Sequence, residues 1–182
     1  MPDVVSYRSR YHYGISANMP IAKIKLDPED TILTDPEGVQ VTNRMSWYLL
    51  KVNSFTPSIY VILLIVYQGD KIKKGSRIPV SYHQFYRTKQ PLPLKCTFNI
   101  MYSEEETAPK RLSSGVLDLC RIECEWDKPI SEWQPVGDPA KGWRKHNDLE
   151  VTMGLQGEPK WEVRVGSKKR EHKFSIEYVK DT

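Results

Sequence analysis

The chain predicts an all-β fold, an antiparallel β-sandwich. Three observations predict it. Apolar and polar residues alternate through most of residues 45–178, which puts every second side chain on one buried face. Helical periodicity is almost absent after residue 14. Turn-forming Gly, Pro, Asn and Asp separate the alternating runs.

Composition supports a folded unit. The 182 residues are 39% hydrophobic and 27% charged, enough for one domain with a core and against global disorder. The net charge of +4 is mild. Its small clusters, Lys71, Lys73 and Lys74, then Lys168, Lys169 and Arg170, fit solvated turns better than a nucleic-acid surface.

Residues 1–13 are polar and basic. Pro2 and Asp3 suit a helix start, and Gly14 a stop. Residues 20–38 are rich in Pro, Asp and Glu and read as an irregular surface excursion. Strands follow. Met45, Trp47 and Leu49 form one alternating set, and residues 80–86 are β-rich after Pro79. Cys96, Phe98, Ile100 and Tyr102 form the next; Cys120, Ile122, Cys124 and Trp126 another. Leu149 to Leu155, Trp161 to Val165 and Phe174 to Tyr178 alternate in the same way. These last three are joined by short turn sequences and predict a meander.

Residues 127–147 interrupt the rhythm with Pro129, Pro135, Pro139, Trp133 and Trp143. A loop of this length is often functional. Either its tryptophans dock a protein partner, or they plug one end of the sandwich.

Residues 52–68 carry no charge and hold most of the longest apolar run. The flanks at 47–51 and 69–75 read as a plain hairpin when joined directly. The segment is read as a retained intron, of whole-codon length and with codon pairs that can open GT and close CAG. The competing reading is a genuine buried strand. At 59–67 the apolar run is far short of the ~20 residues of a spanning helix, so no membrane is implied.

Three cysteines, with no secretory leader ahead of them, predict a reducing, cytoplasmic setting. Cys120 and Cys124 would lie about 13 Å apart along a strand, too far for the ~7 Å limit of a disulfide. His12, His83, His146 and His172 are dispersed, and no metal site is expected. The thiols read as buried structural groups. Gly38, Gly69, Gly115 and Gly157 stand alone, so no phosphate loop is built, and no nucleophile elbow appears. The chain is expected to be no enzyme and to carry no cofactor.

Several ordered stretches nevertheless resemble one family. Tyr13-Gly14-Ile15, Ile78-Pro79, the run from Gln84 to Thr88, residues 97–104 and 115–119, then Leu149 to Thr152 and Trp161 to Val165 are similar to the peptide-binding domain of seventy-kilodalton heat-shock proteins. Pro2-Asp3, Arg8, Arg10 and Tyr13-Gly14 resemble the twelfth-member subfamily and its fungal relatives. The resemblance implies that residues 1–13 are a remnant of an actin-like ATPase domain's last helix and linker, and that 14–182 are a substrate-binding-like β-sandwich. It implies a fragment whose ATP chemistry would belong to a full-length parent. The helical lid and the Gly-rich hinge of the first cleft loop are missing.

An extended peptide would then be bound by strand-edge hydrogen bonds and apolar pockets. Ile15 and Ala17 on one wall and Phe85 on the other are the candidate pocket residues, with ordinary core as the competing reading. The expected partners are unfolded or extended peptide segments, or else a protein docked at Trp133 and Trp143.

Overall fold

The computed structural model describes residues 6–7, 10–49, 72–73, 75–89, 91, 93–156, 158–166 and 174–178. Twelve β-strands organise them. In chain order these are β1 (Ser6–Tyr7), β2 (His12–Pro20), β3 (Ile32–Asp35), β4 (Gly38–Leu49), β5 (Ile72–Lys73), β6 (Arg77–Arg87), β7 (Lys95–Ser103) and β8 (Leu117–Glu125). Then come β9 (Gln134–Pro135), β10 (Trp143–Gln156), β11 (Glu158–Val165) and β12 (Phe174–Tyr178).

A six-stranded sheet runs β12-β8-β7-β2-β4-β3. A four-stranded sheet runs β11-β10-β6, with β9 added to β10. Every pairing between these strands is antiparallel. The two sheets share one apolar core. Ile15, Tyr48, Phe98, Ile100 and Ile122 enter it from the six-stranded sheet, and Ile78, Leu149, Val151 and Trp161 from the other. Burying each such aliphatic side chain contributes about 1.5–3 kcal/mol. The all-β sandwich class is therefore observed as expected.

A smaller core sits apart from the sandwich interior. Met45 and Trp47 of β4 meet Met101 and Val116 there. The segment after β7 makes this possible. Lys110 C=O accepts from Met45 N–H, Leu112 N–H donates to Asn43 C=O, and Pro109 C=O accepts from the Trp47 indole. Gly14 is required here, because a β-carbon at that position would lie 2.4 Å from the Ser46 carbonyl oxygen.

The structure changes several details of the expected chain path. The last three alternating runs are not a meander. β11 pairs with β10, but β12 crosses to the edge of the six-stranded sheet, where Phe174, Ile176 and Tyr178 stand opposite Cys124, Ile122 and Cys120. β4 and β6 do not form a hairpin either. Both edges of β4 are taken, by β2 and β3, and β6 belongs to the opposite sheet. The two strands meet face to face, where the Tyr82 hydroxyl donates to the Tyr48 hydroxyl at 3.0 Å.

The excursion at 20–38 contains β3 and a 3-10 turn at Ile21–Lys23. None of the residues described before Gly14 is helical: Ser6–Tyr7 pairs with β5, Arg10 and Tyr11 form a bend, and β2 starts at His12. The segment 52–68, expected as an insertion, lies outside the described residues.

Candidate functional site

Strand β6 alternates from Arg77 to His83. Ile78, Val80 and Tyr82 point at the core. Arg77, Pro79, Ser81, His83, Phe85 and Arg87 therefore share the outer face. This parity separates the three residues read as a pocket. Ile15 is buried in the sandwich core, opposite Ser46. Ala17 is half-buried and stands opposite Arg44. Phe85 lies on the outer face of the other sheet, opposite Lys145. Ile15 and Ala17 thus share a strand, and Phe85 is not part of the core that holds Ile15.

Phe85 has a specific setting. The His83 ring meets it edge-on at 5.1 Å between centroids. The Lys145 ammonium lies 5.4 Å from its centroid, within reach of a cation–π attraction. Glu37, in the turn between β3 and β4, bonds the Lys145 ammonium and sits 3.3 Å from His83 Nε2. Burial, aided by the Lys145 charge and opposed by Glu37, holds His83 below its ordinary range. The result is an aromatic platform with one cation and one carboxylate at its rim.

The platform belongs to an edge strand. Among the described residues β6 pairs with β10 alone. Its other side carries main-chain N–H and C=O groups that no described strand takes up. Pro79, which lacks an N–H, is tolerated on such an edge.

Beside Ala17 the surroundings are ionic. Arg44 is buried and bonds the Asp30 carboxylate and, at 3.4 Å, the Lys25 carbonyl oxygen. Arg111 reaches Asp27 at 2.9 Å, Asp30 at 3.6 Å and also Glu29. The Arg111 hydrogen bond holds Asp27 below the usual carboxylate range. Burial pushes Asp30 up, but the Arg44 hydrogen bond and the Asp27 amide outweigh it, and its net shift is also downward.

One end of the sandwich is closed by aromatic rings. Trp133 is 1% exposed and packs against Trp126 at 4.8 Å, His146 at 5.0 Å and Tyr86 at 5.7 Å between centroids. Residues 127–147 thus hold a plug at Trp133, which is not offered to a partner. Trp143 is half-buried under the Arg87 guanidinium, 4.6 Å from the ring centroid. His146 has no exposed side-chain surface, and its Nε2 lies 2.7 Å from Asp127 Oδ1. Its Nδ1 is buried without a hydrogen-bond partner. The His146 ring is enclosed by the plug while Asp127 stays exposed at the surface, so the pair ties the plug to its rim.

The sequence reading missed His146 for a physical reason. The register between β10 and β6 slips between His146 and Leu149, which stand opposite Gln84 and Tyr82. One extra residue on β10 inverts the alternation, so His146 and Leu149 both face inward. A period-two reading from Leu149 stops at the bulge. Nearby, Pro93, Leu94, Trp126 and Pro129 line an open cleft of about 650 Å³.

Among the described residues, no group of three or more His, Cys, Asp or Glu is placed to hold a metal ion. No described helix is long and apolar enough to cross a membrane. No family model, curated protein or solved structure matches the chain.

Proposed function

We propose that this chain is a chaperone-like peptide-binding β-sandwich that takes up an extended segment along the free edge of β6, with no ATPase motor of its own. The observation that carries the reading is that edge. It is eleven residues long, unpaired on one side among the described residues, and it presents the Phe85 platform. Edge strands are normally covered or blunted. Peptide ligands use such edges by adding a strand, with main-chain hydrogen bonds for affinity and side-chain pockets for choice. Phe85 offers an apolar contact, and Glu37 and Lys145 at its rim favour a segment with mixed charge beside its apolar residue.

The resemblance to seventy-kilodalton heat-shock proteins agrees with this reading and belongs to the same proposal. In it the peptide contact moves from a pocket of Ile15, Ala17 and Phe85 to Phe85 and the β6 main chain. Any ATP-driven cycle would lie in a longer parent acting in the cytoplasm.

Fluorescence anisotropy with a labelled apolar heptapeptide tests the proposal. A micromolar Kd, about −8 kcal/mol, is expected. Phe85→Asp should abolish binding, and so should N-methylation of alternate peptide amides, since it removes the strand-edge donors. Absence of binding at high protein concentration would overturn the proposal. Full binding by the N-methylated peptide would remove the edge mechanism.

A further inference from the structure

We propose that Cys96 and Cys124 form a latent cross-strand disulfide, a site of reversible oxidation built into the β7–β8 ladder. The two residues are direct partners in the register of β7 and β8. Directly opposed residues of an antiparallel pair have Cα atoms about 4.5–5.5 Å apart, inside the roughly 4.4–6.8 Å span of natural disulfides. Both side chains enter the same core, so their Cβ atoms lie on one face. The Cys124 thiol points across the ladder, with Sγ 3.7 Å from the Cys96 carbonyl oxygen.

The two thiols also influence each other's titration. The hydrogen bond between them, and burial after it, push the Cys96 thiol up. The same hydrogen bond holds the Cys124 thiol below its ordinary range against the effect of burial. We take Cys124 as the first nucleophile of the pair and Cys96 as the resolving thiol. Cys120 differs. It faces the same core from the same strand, but its cross-strand neighbours are Ile100 and Tyr178. Burial pushes its thiol up to about 12.

Both residues are 1% exposed, so the oxidant must be small or the ladder must open. The position allows both. The next rung outward, Lys95 opposite Glu125, is the last of the ladder, and both of its residues are exposed. Strand ends open at little free-energy cost. A peroxide is small enough to use that opening.

The chemistry balances with a peroxide as oxidant. The Cys124 sulfur attacks one oxygen of hydrogen peroxide, the O–O bond breaks, and the thiol proton leaves with the second oxygen as water. Cys124 is then a sulfenic acid. The Cys96 sulfur attacks the Cys124 sulfur, the S–O bond breaks, and the hydroxyl leaves with the Cys96 proton as a second water. Two thiols and one peroxide become one disulfide and two waters. Thiol reductants reverse the bond by exchange.

The test is peroxide treatment of the folded full chain, alkylation under denaturing conditions and peptide mapping by mass spectrometry. The expected product links Cys96 to Cys124 and leaves Cys120 alkylated. It should raise the urea midpoint of unfolding, and a thiol reductant should restore the original midpoint. Cys120→Ala should form the same link. Cys96→Ala should end with an unlinked, over-oxidised Cys124. Free alkylation of all three cysteines after treatment, or a link through Cys120, would overturn the proposal.

Discussion

Two closures of the sandwich use opposite chemistry. Beside β4, Arg44 and Arg111 are tied to Asp27, Glu29 and Asp30. After β8, Trp126 and Trp133 meet Tyr86 and His146 in tilted and edge-on contacts. The ionic closure joins three chain segments at distinct atoms, so it specifies geometry. The aromatic closure removes large rings from water, so it contributes area and dispersion. The difference teaches where stability and specificity are drawn from. Ion pairs offset their own desolvation and add little net free energy, whereas buried rings add several kcal/mol.

The sharpest way to break this contrast is at Trp133. Trp133→Ala should cost about 3–5 kcal/mol, read as a fall in the urea midpoint with an unchanged slope. A loss well under 1 kcal/mol would mean that the ring is a lid rather than a core element.

A smaller effect is expected at Gly166. This residue sits at φ +87, and an added β-carbon would meet the Asp127 carboxylate at 2.3 Å. Gly166→Ala should cost about 1–3 kcal/mol. It should also displace Asp127 from His146, visible as a shift of the His146 ring signals in NMR. Unmoved ring signals would separate the turn from the aromatic plug.

The smallest expected effect concerns acid. Asp27 and Asp30 titrate below their ordinary value of 3.8 in the folded chain. The unfolded chain therefore binds more protons in that window, and stability rises with pH through it. The contribution is complete above 3.8 and lost as pH falls through the lower folded-state values. Urea midpoints between about pH 5 and pH 3 should fall, and Arg111→Met should flatten that fall. An identical slope in the variant would show that other carboxylates set the acid response.

Much of the fold was legible in the residues. The sets at Cys96 to Tyr102, Trp161 to Val165 and Phe174 to Tyr178 fall in β7, β11 and β12. The first two were visible because one buried face imposes alternation, which in β7 holds from Cys96 to Ile100 before the register shifts at Met101. β3 was missed because its buried positions are few: Ile32 is exposed, and Leu33 is only half-buried. The candidate site was legible in part. Phe85 lies on β6 with a setting of its own, but its pairing with Ile15 and Ala17 ignored that Phe85 and Tyr82 have opposite parity on one strand. The Cys96–Cys124 pair was invisible, since 28 residues separate the two thiols and nothing local says which strands will be neighbours.

Alternation, turn residues and composition determined by themselves that this chain forms strands, where most of them lie and, between bulges, which side chains share a face. These follow from local sterics and from a two-residue period. Only the tertiary structure decided that β12 pairs with β8, that β4 and β6 face each other across the core, that a bulge turns His146 inward and that Phe85 stands on a strand whose second edge no described residue pairs. Those outcomes depend on which apolar faces bury each other most completely once distant segments meet, a free energy no single window of residues contains.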